Sequence, residues 1–250
     1  PRQRQKQKKE ATSQFNPRYT FETFVVGDSN RLAYVAAQTV ARQPGQAYNP
    51  LFIYGGVGLG KTHLLHSIGH ETVRQGYRTL YVPAEGFTND YVNSLRNGSP
   101  EAFREKYRTI DVLLIDDIQF IAGKGCTQEE LFHTFNALYV ASKQIVLSSD
   151  CLPGQIAALE KRLSSRFEGG LCVGLQPPNL ETRIAILEMK AKGPIAVPFE
   201  VLELIAQRVS GSVRRLEGAL NRVLVQAQVT GGPLTLAMAE AALDAVSYTH

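Results

Sequence analysis

The 250 residues are 44% hydrophobic and 20% charged, with three cysteines and a net charge of +4. That is the composition of an ordinary globular chain with enough length for one large or two modest domains. It excludes a disulfide-built scaffold, since Cys126, Cys151 and Cys172 are odd in number and form no CxxC, and no run of eighteen apolar residues is present to span a membrane.

Arg2, Arg4, Lys6, Lys8 and Lys9 all precede the first acid, Glu10, and hold the whole charge excess. Residues 1–15 are therefore expected to be a disordered basic linker, with nucleic-acid contact as the other reading. No apolar core follows the basic run, so it is not a signal peptide and a cytoplasmic protein is expected. An opening Pro1 in place of methionine points to a piece of a longer chain.

A hydrophobic stretch, Tyr19-Thr-Phe-Glu-Thr-Phe-Val-Val26, leads to Gly27-Asp-Ser-Asn30. Asn30 or Asp28 is placed to cap a helix over 31–42, where Leu32, Val35, Ala36, Thr39 and Val40 recur at helical spacing and Pro44-Gly45 ends the pattern. Five short apolar runs follow: Leu51–Tyr54, Thr79–Val82, Val112–Ile115, Ile145–Ser148 and Leu171–Leu175. They read as strands buried on both faces, as a parallel sheet requires. Helix-like segments 61–74, 86–95 and 128–140 fall between the first four, so a three-layer α/β core is predicted over 16–177. After Pro177-Pro178 the segments 179–192, 199–209, 212–229 and 235–246 are all helix-like, which predicts a small helical second domain over 178–250.

Gly55-Gly-Val-Gly-Leu-Gly60-Lys61-Thr62 satisfies G-x4-G-K-[ST] between a strand and a helix. Glycines let successive N–H groups turn toward phosphate oxygens, and the helix N-terminus adds partial positive charge. Gly55, Gly56, Gly58 and Gly60 form the cradle, Lys61 reaches the β- and γ-phosphates, and Thr62 is placed to ligate Mg²⁺. Val112-Leu-Leu-Ile-Asp116-Asp117 ends a buried strand in two acids at the sheet edge where such folds bind ligands. Asp116 is the candidate Mg²⁺ holder and Asp117 the group that polarises water; a solvated acidic turn is the bland reading. His63, His66 and His70 lack the glutamate of a metalloprotease helix, and His66 and His70 are expected on the helix surface.

Three further features stay open on spacing alone. Ser148-Ser149-Asp150 is a polar strand tip or an ordinary turn. Arg162 and Arg166, four apart, are a solvated pair or an arginine finger for a neighbouring subunit. Arg214, early in a helix of the second domain, is a surface arginine or a lid residue that reads the γ-phosphate.

Taken together, the order of these motifs resembles that of AAA+ ATPases, and their wording is similar to the ATPase domain of the bacterial DnaA replication initiators. The likeness runs through residues 16–30, 49–66, 114–120, 132–136 and 216–221, and covers roughly 16–245. It implies an AAA+ P-loop fold, a five-stranded parallel sheet between helices with a small all-helical lid. It implies ATP or ADP with Mg²⁺ as ligands, His63 beside the phosphates and Val26 near the adenine. Asp150 would be a first sensor, Arg166 the finger with Arg162 as companion, and Arg214 the lid sensor. On the same resemblance, ATP drives homo-oligomerisation into a filament that engages single-stranded origin DNA to promote duplex opening, and slow hydrolysis switches it off. Helices 86–95 and 100–108 would grip that strand, with Val92 and Lys124 as contacts. Cys126 and Arg215 depart from the family pattern. The helix-turn-helix module that reads duplex origin boxes is not among the 250 residues, so duplex reading is not expected of them. A DnaA-like AAA+ adaptor that regulates an initiator is the alternative function. A small-molecule P-loop kinase would leave the helical domain, Arg166 and Arg214 without a task.

Overall fold

The structure is a computed structural model that describes residues 14–193, 195–231 and 233–244. Most of the predicted basic linker, and the end of the last predicted helix, lie outside the described residues. The chain divides into two compact units. One holds the sheet, and the other gathers residues 25–31, 56–59 and 176–250.

In the first unit the described chain enters through Gln14–Phe24 and continues into α1 (Arg31–Arg42), whose first residue groups with the second unit. β1 (Leu51–Tyr54) leads to α2 (Lys61–Gln75), and β2 (Thr79–Pro83) to α3 (Ala84–Arg96) and α4 (Pro100–Arg108). β3 (Val112–Asp116) is followed by α5 (Gly125–Val140), β4 (Gln144–Ser149) by α6 (Lys161–Glu168), and β5 (Leu171–Gly174) closes the unit. The five strands are parallel, in the order β2-β3-β4-β1-β5. Every residue of β3 and β4 is buried, which is why these runs carry no apolar–polar alternation.

Two elements differ from the sequence reading. α5 starts at Gly125 rather than at 128, because Gly125-Cys126-Thr127 offers no apolar spacing that would mark a first turn. Asn30 does not reach forward over the helix. Its Oδ1 accepts from Gly27 N at 2.9 Å and its Nδ2 donates to Val25 O at 3.0 Å, so the side chain ties the turn behind it.

The core beside the sheet is aromatic. Phe52 stacks on Phe167 at 5.8 Å, and Phe87, Phe103 and Tyr107 form a cluster that joins α3 to α4. Asp90 on α3 accepts hydrogen bonds from Lys106 Nζ and Tyr107 Oη on α4, both at 2.6 Å.

The helical unit contains α7 (Leu180–Lys190), α8 (Phe199–Arg208), α9 (Val213–Thr230) and α10 (Leu236–Asp244). Leu187, Val201, Ile205, Leu216, Leu220 and Val223 form its core. Asn179 caps α7, its Oδ1 accepting from Thr182 N at 2.9 Å. Replacing Asn179 with alanine leaves that amide unpaired and is expected to cost about 1 kcal/mol, a fall of about 2–4 °C in the thermal midpoint. A melting curve of Asn179→Ala superimposable on the parent would show that this cap contributes nothing.

Candidate functional site

β1 ends at Tyr54, and the chain must turn sharply to begin α2 at Lys61. Gly55 leaves the strand at φ 150°, where an added Cβ would stand 2.5 Å from Leu175 O. Gly58, in the helical unit, has φ 75°, and its missing Cβ would lie 3.0 Å from Arg214 Cβ. Both positions need glycine, one for close backbone approach and one for a left-handed conformation. Val213 N, at the start of α9, donates to Gly58 O at 2.9 Å, so Arg214 is anchored beside the glycine loop by a hydrogen bond within its own unit. Arg214 is exposed and makes no side-chain hydrogen bond or ion pair with a described residue. Val26 is in the same unit and more than a third exposed.

Lys61 is nearly buried, and its Nζ donates to Gly55 O and to Asp150 Oδ1, both at 2.6 Å. Both of these bonds, to a carbonyl and to a half-exposed carboxylate, can be exchanged for bonds to phosphate oxygens, which also accept charge-assisted bonds. Asp116, at the C-terminal end of β3, is buried and accepts three hydrogen bonds. Its Oδ2 accepts from Thr62 Oγ1 at 2.7 Å and from Tyr81 Oη at 2.9 Å, and its Oδ1 accepts from Ser148 Oγ. Ser148 also accepts from Asp117 N at 2.9 Å, so the tip of β4 is wired to both acids.

Asp117 adopts φ 53°, a left-handed conformation that is uncommon outside glycine and that turns its side chain away from the strand line. Burial, and then the neighbouring Asp116 charge, push its carboxyl above the ordinary aspartate range. Gln119 Nε2 bridges Asp117 Oδ1 at 3.3 Å and Asp150 Oδ2 at 3.2 Å, while its buried Oε1 has no partner among the described residues. The first unit thus brings Gly55, Gly60, Lys61, Thr62, Asp116, Asp117 and Asp150 to one edge of its sheet. Tyr81 and Gln119 belong to the same network and were not singled out from the sequence.

The sequence model described as "Bacterial DnaA ATPAse domain" matches residues 15–174. The chain belongs to the bacterial DnaA ATPase domain family. It is 58% identical over 231 residues to the chromosomal replication initiator protein DnaA of Thermomicrobium roseum, covering 91% of this chain and 50% of that protein. It therefore spans about half the length of the curated relatives it matches. Among solved structures, domain III of the Thermotoga maritima DnaA superposes with a TM-score of 0.87 at 48% identity, covering 92% of this chain and 97% of that one. A structure of the replication initiator DnaA bound to AMPPCP and single-stranded DNA gives a TM-score of 0.80 at 41% identity, over 85% of this chain and 66% of that one. The architecture is accordingly that of an AAA+ P-loop domain.

The remaining residues expected from the DnaA resemblance occupy separate places. The His63 ring packs on the entry segment: its Nε2 donates to Thr20 O at 2.8 Å and its plane stacks on Tyr19 at 4.9 Å. Val92 is half-buried on α3, and Lys124 is exposed at the start of α5. Arg162 is occupied, with Nε on Glu160 Oε2 at 2.6 Å and its guanidinium 4.6 Å from the Phe132 ring centre. Arg166 is exposed on α6 with no hydrogen bond or ion pair to a described residue.

His66 is not the surface residue expected. It is 6% exposed, enclosed by Phe15, Tyr19 and Tyr81, and burial lowers its pKa below the ordinary histidine range. Its Nδ1 accepts from Asn16 N at 3.1 Å, a bond open only to the neutral ring.

The donor set suits Mg²⁺. No cluster of three or more His, Cys, Asp or Glu side chains is present among the described residues. Mg²⁺ does not need one, since it keeps waters and phosphate oxygens and takes one or two protein oxygens. Thr62 Oγ1 beside Asp116 is such a pair. Among the described residues no helix is long and apolar enough to cross a membrane.

Proposed function

We propose that this chain is the nucleotide-controlled domain of a chromosomal replication initiator: it binds ATP with Mg²⁺, assembles with further copies in the ATP state and engages single-stranded origin DNA, with slow hydrolysis as the off-switch. The observation that carries the reading is Lys61 and the Thr62–Asp116 pair gathered at the sheet edge, with left-handed Gly60 leading into α2. Reading of duplex origin boxes would belong to a further module of the longer protein, and the setting would be the cytoplasm.

In this reading Lys61 releases Gly55 O and Asp150 for the β- and γ-phosphates, and the loop N–H groups receive the remaining phosphate charge. Thr62 and Asp116 would hold Mg²⁺, which would supply charge neutralisation to the phosphates. Asp117, bent out of the strand and carrying a raised pKa, accepts a hydrogen bond from the attacking water and orients it. Gln119 and Asp150 border that place. Arg214 reads the γ-phosphate from beside Gly58, and Arg166 serves the nucleotide of an adjacent copy. Val26 lies toward the adenine, and the His63 backbone amide toward the phosphates.

Relatives named as chromosomal replication initiators favour initiator over adaptor. The bound single strand in the solved relative supports the DNA reading, with Val92, Lys124 and helices α3 and α4 as the contacting parts. Fluorescence anisotropy with a labelled single-stranded oligonucleotide should give binding about tenfold tighter with AMPPCP than with ADP, a coupling of ordinary allosteric size that weakens as salt rises. Equal affinity in the two nucleotide states would favour the adaptor.

A further inference from the structure

Asp116 carries three hydrogen bonds, and one of them comes from a residue that no nucleotide-binding motif contains. Tyr81 stands on β2, the edge strand of the sheet, paired in register with Leu114. Asp116 lies two residues further along β3 and so shares a face with it, which puts the phenol within diagonal reach of the carboxylate. The distance is 2.9 Å, to the same Oδ2 that Thr62 contacts at 2.7 Å.

Tyr81 is itself held from three sides. Its ring lies 4.4 Å from that of buried His66 and 6.4 Å from that of Phe15. Its backbone N donates to Gln14 Oε1 at 3.1 Å, while Gln14 Nε2 donates to Thr79 O at 2.8 Å, so one glutamine side chain extends the open edge of β2. Phe15 reaches His66 by crossing α2 at Gly69, where an added Cβ would sit 2.1 Å from Phe15 Cε1. A glycine inside a helix costs about 1 kcal/mol relative to alanine, and here it admits the ring that steadies His66 and Tyr81.

We propose that Tyr81 is a positioning residue for the cation site: clamped by Gln14, Phe15 and His66, its hydroxyl fixes the Asp116 carboxylate toward Thr62. An ionised carboxylate offers about four acceptor positions. Ser148, Thr62 and Tyr81 fill three of them and define its plane, leaving one open direction. The residues ahead of the sheet thereby set the orientation of a carboxylate on the strand next to the edge strand, through contacts that lie within one unit. Such outer partners of metal-holding side chains commonly govern metal affinity by about 10–100-fold.

The inference rests on the nucleotide reading above, and the test separates the two. Binding of a fluorescent ATP analogue to the 250-residue chain is titrated over Mg²⁺ concentration and repeated in EDTA. For Tyr81→Phe, the Mg²⁺ concentration at half-saturation should rise about tenfold, with EDTA affinity and the nucleotide-free melting midpoint left near the parent's. A half-saturation equal to or below the parent's overturns the positioning role while the nucleotide reading stands. A parent chain whose binding ignores Mg²⁺ overturns both. Should Tyr81→Phe fail to fold, Gln14→Ala removes the tether from the surface and should raise half-saturation about threefold; no change there also overturns the proposal.

Discussion

Lys61→Ala is expected to abolish the thermal stabilisation that Mg-ATP gives the parent chain. A ligand at about a thousandfold over its dissociation constant stabilises the fold by about 4 kcal/mol, which for a chain of this size is a rise of about 8–16 °C. Nearly all of that rise depends on the loop and its lysine. Lys61 Nζ is a fixed side-chain cation in the network at the end of β1, with Asp116, Asp117 and Asp150 all bonded into the same edge. Without it, a triphosphate would be brought against three carboxylates with no lysine to offset their charge.

The nucleotide-free variant should melt near the parent. Lys61 itself is nearly buried, but its partner Asp150 is 39% exposed, so the carboxylate left behind is solvated by water and its screened pairing contributes little. Lys61→Met, which keeps the aliphatic volume, serves as the control for packing. Melting curves with Mg-ATP, Mg-ADP and no nucleotide decide the matter: a variant that rises with Mg-ATP as far as the parent would remove the phosphate role from this lysine.

The strands and the loop were legible because their signals are local. A buried parallel strand is a short apolar run, and the sequence places all five within a residue or so of their observed limits. The glycines and lysine of the loop are adjacent in the chain, as are the two acids. Tyr81 was illegible for the opposite reason. Its meaning depends on the β2–β3 register and on residues that approach from fifteen to more than sixty positions away in the chain. His66 was misread on the same account, since its heptad neighbours are unremarkable and its cover comes from Phe15, Tyr19 and Tyr81. The Asp117 turn is likewise a backbone property that the pair Asp116-Asp117 does not encode by itself. For the arginines, spacing identified a pair and gave no means of choosing between its members.

The surroundings of the two side chains support the member that the resemblance assigns, and with it comes the second large effect: Arg166→Ala should lose ATP-dependent assembly, and Arg162→Ala should keep most of it. Both arginines are on α6, which is fastened by buried Leu163 and by Phe167, stacked on Phe52 of β1. Arg162 is committed to Glu160 and to the face of Phe132, whereas Arg166 extends from the same rigid helix with its five donors unspent on any described residue. Its backbone is already fixed by the helix, so meeting a phosphate on a neighbouring copy costs only the rotamer freedom of the side chain, about 0.5–1.5 kcal/mol. A hydrogen bond to a charged group contributes about 1.5–3 kcal/mol, so each interface should weaken about 10–100-fold without it. Velocity sedimentation with AMPPCP should therefore show the parent and Arg162→Ala in large species and Arg166→Ala as single chains. Arg166→Lys should restore assembly only in part, because an ammonium cannot offer the planar fork. Nucleotide binding by the single chain should be unchanged in Arg166→Ala, since the residue acts on another copy's ligand. Should the variant lose the Mg-ATP melting shift as well, Arg166 would serve its own chain's nucleotide, and the assignment in trans would fail.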